Sequence, residues 1–545
     1  MEIRVPYGHI DFDGKSFLVN SRYEDRHRCR EMGFEWDKED KVYRTMSPLT
    51  LAYFSRSKLS EAALEECARQ KERQDHFRNT YSSARDWKGN EKFPVRGKYE
   101  LYPYQRVASQ AIVHNPEGLL IADEMGLGKS LEVICGINKL GEKRTKNVLI
   151  VAPKVLLTNW KDEFAKYATT DRIPQILSSR SHPKEPGDGI FLINYDLLHR
   201  KEFKWLQTRK WGLVAADEVH YAKTPTAKRT KALVKILANA DHRVGLTGTP
   251  MISRPVEFFH ILKLFGWPDE YLPFTRRYCK GKQGQFGWYD KGAENLEELN
   301  HRVRGFCMVR RVVKDVKSDL PKKTRKLVRL DSAGYTKELR AELQAQRDAE
   351  KYKTKQQAIF DRGDISSEEY KQAVAYLRKP HFYGLKEITE ARKATALAKV
   401  ADVAAIVRDT VGEDDPVLLF AHHREVMELL RDDLAKDFRV ALLYGGMTNR
   451  DREKAVKDFQ EGKIDIFILS IGAANAGLNL FRSRHVIFAE LDWNSTIMDQ
   501  CEARSARIGQ ERPVLVQNIV VDGSIDAMIA KKQQQKRRNI NKAVA

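Results

Sequence analysis

Residues 118–140 read GLLIADEMGLGKSLEVICGINKL. An apolar run, a glycine-bearing loop and an amphipathic run follow one another, which predicts strand, loop and helix in that order. Such a loop meets a helix N-terminus, where backbone N–H groups and the positive helix end favour anionic phosphate. Gly128, Lys129 and Ser130 supply the G-K-[ST] ending of a phosphate-binding loop. In that pattern the lysine reaches the β- and γ-phosphates and the hydroxyl ligates Mg²⁺. The usual pattern also asks for a glycine six residues before the lysine. Asp123 stands there instead.

The same texture recurs along the chain. NVLIVAP, GIFLINYD and WGLVAAD are short apolar runs that alternate with longer amphipathic segments. That alternation is the pattern of strands and crossover helices in a parallel α/β sheet. It returns in PVLLFAHH, VALLYGG, DIFILSIG and HVIFAELD. Two α/β domains are therefore expected, over residues 98–270 and 396–525, with 271–395 as a mainly helical insertion. Residues 1–55 predict a small α+β module. HIDFDGKSFLVN holds an Asp-Gly turn between strands, RYEDRHRCREMG a short helix closed by Gly33, and FEWDKEDKVYRT two more strands. Residues 56–97 read as a charged linker containing a helix. Residues 526–545 form a basic tail, which is either a solvated, frayed end or an arm for nucleic-acid backbone or nuclear targeting.

A chain of 545 residues suggests roughly three or four domains. Its net charge of +21 favours a polyanionic partner, most often nucleic acid, although a merely soluble basic protein has the same charge. The six cysteines are scattered and none forms a C-x-x-C pair, which argues against a disulfide framework or a zinc site and for a reducing compartment. The opening MEIRVPYGHIDFDGKS has no apolar signal region, and no apolar run is long enough to span a bilayer. No membrane partner is expected.

Two further elements support a nucleotide site. WGLVAADEVH ends an apolar strand in Asp217 and Glu218. Acidic residues at that edge suit a Mg²⁺ ligand and a water-activating base, and they equally suit a capped helix start. The phosphate loop upstream favours the first reading. In QCEARSARIGQ, Arg504 and Arg507 stand three apart, on one helix face. Arginines of this kind stabilise charge on a transferred phosphoryl group. They predict a cleft between the two domains that closes on ATP, coupling chemistry to motion.

LYPYQ, DEMGLGKS, DEVH, LTGTP, FAHH, GLNL and RIGQ occur in the order and rough spacing of superfamily-two helicase motifs. DEMGLGKS and RIGQ resemble the Swi/Snf-type branch of DNA-translocating ATPases, and the likeness covers about residues 98–530. It implies two RecA-like lobes, ATP and Mg²⁺ as cofactors, and DNA as partner. It also implies that Asp123 belongs to the signature and to the nucleotide-binding set, and that Gly126, Gly128, Lys129 and Ser130 carry the phosphate contacts. By the same likeness Gln105 reads adenine, Asp217 holds Mg²⁺ with Ser130, and Glu218 is the general base. His220, Thr247 and Thr249 couple nucleotide state to DNA. Gly477 and Gln500 line the cleft, with Arg504 and Arg507 as arginine fingers. Lys154, Asn159, Trp160 and Ser470 fall near segments that touch the DNA backbone.

A narrower likeness appears in the stretch from RYCKGKQGQFGWYDKG through MVRRVVKDVKSDLPKKTRK, and in SIGAANAGLNLFRSRHVIFAELDWN. Both resemble HARP-type annealing helicases, which implies double-stranded, forked or branched DNA as substrate. FLVNSRYEDRHRCREMGFEWDKEDKVYRT resembles the small HARP substrate-recognition module, with Trp36 and Tyr43 as its aromatic pair. Arg22, Arg26, His27, Arg28 and Arg30 make it basic. The other reading is a generic mini-domain with Phe34 and Trp36 in its core.

Ala503 and Ala506 depart from the family's last motif, where an acidic residue and a histidine are common. Hydrolysis is expected to survive this change, with coupling to DNA less secured. No bromo-, chromo- or zinc-finger-like segment is visible. The expectation is a monomeric, cytoplasmic, DNA-associated protein of a bacterium or a virus-infected bacterial host, with a nuclear location as the alternative. Three activities fit: a duplex-DNA motor that remodels forks, a motor that strips proteins or RNA polymerase from DNA, or a non-motor DNA-binding protein with an ATP switch.

Overall fold

A computed structural model describes residues 9–544 except 22–25, 47–58, 83–91, 180–185, 252–253, 285–286, 317–322, 363–367, 370, 374–384, 413–414, 475–477 and 507–509. The chain divides into two compact units, one over residues 1–318 together with 538–545 and one over 319–537.

The first unit opens with an antiparallel sheet of β1 (Ile10–Phe12), β2 (Phe17–Val19), β3 (Glu35–Asp37) and β4 (Val42–Thr45), in the order β1-β2-β4-β3. The turn between β1 and β2 is the expected Asp-Gly turn. Gly14 takes φ +90°, and one Asp13 carboxylate oxygen accepts the N–H groups of Lys15 and Ser16, both at 2.8 Å. Alternate residues Ile10, Phe17, Val19, Phe34 and Tyr43 face one buried cluster with Cys29 and Met32. Trp36 pairs with Tyr43 across β3 and β4, their ring centroids 4.8 Å apart. Phe34 is therefore core, whereas Trp36 stands at the surface, 40% exposed. Arg22 and the side chains of Arg26 and Arg28 lie outside the described residues.

The segment expected as a linker contains a packed strut, the helix Glu61–Phe77. Ser60 caps it, accepting the Ala63 N–H at 3.2 Å while its own hydroxyl donates to Asp11 at 2.7 Å. Ala63 completes the core of the small sheet. Phe77, at the other end, packs with Tyr81, Val107, Ala111 and Ile112 in the core of the larger sheet that follows.

That sheet is parallel and seven-stranded. Its strands are β5 (Leu119–Ile121), β6 (Val148–Ala152), β7 (Gln175–Ile176), β8 (Ile190–Asn194), β9 (Trp211–Asp217), β10 (Ala240–Leu246) and β13 (Met308–Val309). The spatial order is β13-β5-β10-β9-β6-β8-β7. A small hairpin, β11 (Lys282–Gly284) with β12 (Gly287–Tyr289), lies between β10 and β13 in the chain. β5, β6 and β9 are buried along their whole length, as helices on both faces require of a parallel sheet. Register decides what meets at the sheet's edge. Leu246 pairs with Ile121 on one side and with Asp217 on the other, so three neighbouring strands end on one rung.

The second unit is a six-stranded parallel sheet of β14 (Lys323–Leu330), β15 (Val417–Ala421), β16 (Val440–Leu443), β17 (Ile466–Ser470), β18 (His485–Phe488) and β19 (Val514–Val521). Its order is β14-β19-β18-β15-β17-β16. The boundaries differ from those expected at 270 and 396. β13 belongs to the first sheet and β14 to the second, so the stretch 271–395 contributes a strand to each lobe. β14 escaped notice because KTRKLVRL is a charged edge strand with most side chains exposed. The helices Thr336–Arg362 and Leu385–Ala398 are fastened to the second unit by polar contacts. Glu342 accepts from the Thr395 hydroxyl at 2.6 Å and from the Ile525 N–H at 2.6 Å, and Arg392 donates to Asp526 at 2.7 Å. The basic tail continues as part of the helix Ile525–Val544.

β14 is locked to the helix Ser495–Glu502 through a buried acid. Glu502 is fully enclosed, with Lys323 at 3.1 Å, Arg325 at 2.6 Å and Arg537 at 3.5 Å. Burial opposes its charge, but those cations win and hold the carboxyl down at about 2. A carboxyl depressed in the folded state stabilises above its unfolded value and loses that contribution as pH falls through the folded value. The Glu502→Gln variant should therefore be less stable than the parent at neutral pH by roughly 3 kcal/mol. The difference should shrink as pH falls from about 4.5 towards about 2. Urea unfolding across that range, followed by circular dichroism, checks the convergence.

Candidate nucleotide site

The loop after β5 bends at Gly126 and Gly128, with φ +88° and +89°, and the helix Lys129–Arg144 begins directly after. A Cβ on Gly128 would stand 2.6 Å from the Gln105 side-chain nitrogen, so this position needs glycine twice over. Gln105 is fully buried. Its oxygen accepts the Tyr102 N–H at 3.1 Å and its amide donates to the Leu127 carbonyl at 2.9 Å, where Tyr104 Oη also donates at 2.9 Å. Gln105 thus holds the shape of the loop. Lys129 Nζ donates to the carbonyls of Asp123 at 2.9 Å and Glu124 at 3.5 Å, folded back over the loop it would share with phosphates. Ser130 follows in the first helical turn, half-buried.

Asp123 has a different role from the one expected. It is 0% exposed, and its carboxylate accepts the Arg311 N–H at 2.7 Å and the Arg311 guanidinium at 3.1 Å. It braces the phosphate loop against the segment leaving β13 rather than contacting nucleotide. Glu124 accepts the Val313 N–H at 2.8 Å in the same way. Arg310 donates to the carbonyls of Ala122 and Gly248, tying the strand ends of β5 and β10 together. Burial pulls its guanidinium down to about 10, against the nearby charges of Glu124 and Asp123. Sequence reasoning missed both arginines. The available signal was Asp123 itself, since a buried acid requires a cation.

At the end of β9, Asp217 sits one rung from these groups. Its Oδ1 accepts the Glu218 N–H at 2.9 Å and its Oδ2 accepts the Trp160 indole N–H at 2.9 Å. Burial first, and the Glu218 charge second, push its carboxyl up to about 7, while Trp160 and Lys129 oppose them. Glu218 adopts φ 49°, ψ 51°, a left-handed conformation costly for a residue with a side chain. Its Oε2 lies 3.2 Å from His220 Nδ1. Thr247, just past β10, is fully buried and donates its N–H to the Ile121 carbonyl at 3.1 Å. Its hydroxyl accepts the Thr249 N–H at 3.1 Å. A Cβ on the intervening Gly248 would lie 2.4 Å from the Met125 side chain, so this turn packs directly on the phosphate loop.

The residues expected at the DNA backbone divide. Lys154 is exposed in a short turn, and Asn159 is half-buried and donates to Glu163 at 3.2 Å. Trp160 is wholly buried, which removes it from any DNA-facing surface. In the second unit Ser470 ends β17, half-buried. Gln500 is buried in the helix Ser495–Glu502, and Arg504 donates to the Leu478 carbonyl at 3.4 Å. Arg507 and Gly477 lie outside the described residues. The first unit therefore gathers Gln105, Lys129, Ser130, Asp217, Glu218, His220, Thr247 and Thr249 along one sheet edge.

A Mg²⁺–nucleotide pair suits this donor set. Ser130 and Asp217 offer oxygen ligands, and Lys129 is a cation beside a helix N-terminus. Among the described residues no cluster of three or more His, Cys, Asp or Glu could cage a metal. Mg²⁺ ordinarily takes one or two protein oxygens and completes its shell with phosphate and water.

A SNF2-related domain model matches residues 43–379, and a helicase conserved C-terminal domain model matches residues 398–509. The chain belongs to the SNF2-related family. Its relatives include the Xenopus tropicalis SWI/SNF-related matrix-associated actin-dependent regulator of chromatin subfamily A-like protein 1, 31% identical over 78% of this chain and 43% of that protein. The mouse DNA annealing helicase and endonuclease ZRANB3 is 28% identical over 80% of this chain and 40% of its own length. The chain thus spans less than half the length of these two relatives. A solved Sulfolobus solfataricus SWI2/SNF2 ATPase core in complex with dsDNA shares 22% identity over 83% of this chain and 94% of that one, with a TM-score of 0.40.

These relatives correct one expectation. A cytoplasmic protein of a bacterium or a virus-infected bacterium does not stand, because relatives that match over more than three quarters of this chain come from frog, fly, worm and mouse. They point to a eukaryotic source; the association with DNA is retained. Among the described residues no helix is long and apolar enough to cross a membrane.

The Asp123–Arg311 brace makes a distinct prediction. Arg311→Leu leaves a buried carboxylate uncompensated, so it should cost about 3–5 kcal/mol of stability and weaken nucleotide binding. Adding Asp123→Gly, which removes the stranded charge and restores the usual loop glycine, should recover most of that loss. Chemical denaturation and nucleotide titration of the two variants provide the comparison.

Proposed function

We propose that this chain is an ATP-dependent motor on double-stranded DNA that remodels forked or branched substrates by re-pairing strands. The observation that carries the motor reading is the rung shared by β5, β10 and β9, which brings Lys129 and Ser130 beside Asp217 and Glu218 in an SNF2-related chain. A switch that only binds ATP has no need of a base at Glu218. On binding, Lys129 exchanges the carbonyls of Asp123 and Glu124 for phosphate oxygens. Ser130 and Asp217 would hold Mg²⁺, which would supply positive charge against the phosphates. Glu218 accepts the proton of the attacking water. His220, Thr247 and Thr249 sense the change at the loop. Lys154, Asn159 and Ser470 grip the DNA backbone, so movement is independent of sequence and weakens with salt.

Two observations support the choice of branched DNA. ZRANB3, a relative, is named as an annealing helicase. The N-terminal module also carries Trp36, which is 40% exposed and stands on Tyr43 at the surface. Exposed aromatic rings stack on unpaired bases, which forks and branches offer and plain duplex does not.

Lys129→Ala should abolish DNA-stimulated ATP hydrolysis with the circular dichroism spectrum unchanged. Ordinary turnover by that variant would end the motor reading. Trp36→Ala, a surface change, should leave stimulation by plain duplex intact and lower stimulation by forked DNA several-fold, at about 1–3 kcal/mol per stacked base. Equal stimulation of parent and variant by forks would instead favour the displacement of proteins from duplex DNA.

A further inference from the structure

Asp217 is held by aromatic side chains that come from two other strand ends. The Trp160 indole N–H donates to Oδ2 at 2.9 Å, and the Tyr195 hydroxyl donates to the Asp217 main-chain carbonyl at 2.7 Å. Both aromatic residues are buried. Trp160 lies in the helix Leu157–Tyr167 after β6, and Tyr195 opens the short turn after β8. Phenylalanine or leucine would fill most of the indole's volume; only the N–H demands an acceptor. With Glu218 N–H on Oδ1 at 2.9 Å, each carboxylate oxygen has one donor. The carboxylate plane is thereby fixed, and each oxygen retains capacity for a cation.

We propose that Trp160 is a positioning residue for Asp217: its indole N–H aims the metal-binding carboxylate, and through it the helix Leu157–Tyr167 acts on the Mg²⁺ site. This rests on the reading of Asp217 as a Mg²⁺ ligand. The helix is well placed to carry such an influence. Its inner face holds Trp160 and Phe164 in the core, while Thr158, Lys161, Asp162, Ala165 and Lys166 are exposed. Exposed Lys154 precedes it. A nucleic-acid backbone bearing on that outer face would shift the helix, and the carboxylate would move with the indole. Aligning the ligand in this way raises Mg²⁺ affinity, since outer partners of metal ligands commonly account for 10- to 100-fold in affinity.

The test compares the full-length parent with Trp160→Phe and with a second variant carrying benzothienyl-alanine at position 160, which keeps the indole's shape and removes only the N–H. Binding of a fluorescent ATP analogue is titrated in EDTA and across a Mg²⁺ series, and ATPase stimulation by duplex DNA is recorded alongside. Both variants should bind nucleotide normally in EDTA, need about tenfold more Mg²⁺ for the same affinity gain, and respond less to DNA. An unchanged Mg²⁺ requirement in the benzothienyl variant, at a parental melting temperature, overturns the proposal. So does an equal loss with and without Mg²⁺, which would make Trp160 a packing residue only. If Mg²⁺ leaves the parent's nucleotide affinity and hydrolysis unaffected, it is the reading of Asp217 that fails.

Discussion

The register of a parallel sheet is the constraint on which the nucleotide site depends. Side chains along a strand alternate faces, so a slip of one residue would turn each strand's inward set outward. In the first unit that register sets Ile121, Leu246 and Asp217 on one rung. The phosphate loop, the Thr247–Thr249 turn and the Asp217–Glu218 pair then emerge together from three adjacent strands. The apolar surface that fixes the register is the same surface that forms the core. Core packing and catalytic geometry are therefore one specification.

The central strands could be read from the chain because they are covered on both faces. VLIVA and VLLFA carry an unbroken apolar signal, and IFLIN one broken only at Asn194. β14 carries none, since KTRKLVRL lies at an edge and turns Lys323 and Arg325 toward buried Glu502. The phosphate loop was visible in sequence because its glycines and lysine are neighbours. Its brace was not, because Arg311 lies 188 residues beyond Asp123. Trp160 shows a different limit. Adjacency to a DNA-facing segment says nothing of whether a side chain points out or in, and a helix presents both faces within two residues.

Three residues singled out in the sequence share one physical constraint. Asp123, Gln105 and Trp160 carry polar groups that are wholly buried. A buried polar group must be satisfied by the protein around it. These residues therefore spend their hydrogen bonds on shaping the loop and aiming the carboxylate, and reach the reaction through those contacts. β14 went unread for a different reason: its charged edge sequence carries no apolar signal.

The left-handed turn at Glu218 has an evolutionary consequence. A non-glycine residue at φ 49° is strained, and many replacements would relax the backbone only by giving up the carboxylate. Folding pressure alone would thus drift this position toward glycine or asparagine. With Glu218 as the proposed base, a copy of this chain released from selection for turnover should lose the glutamate while the sheet around it endures.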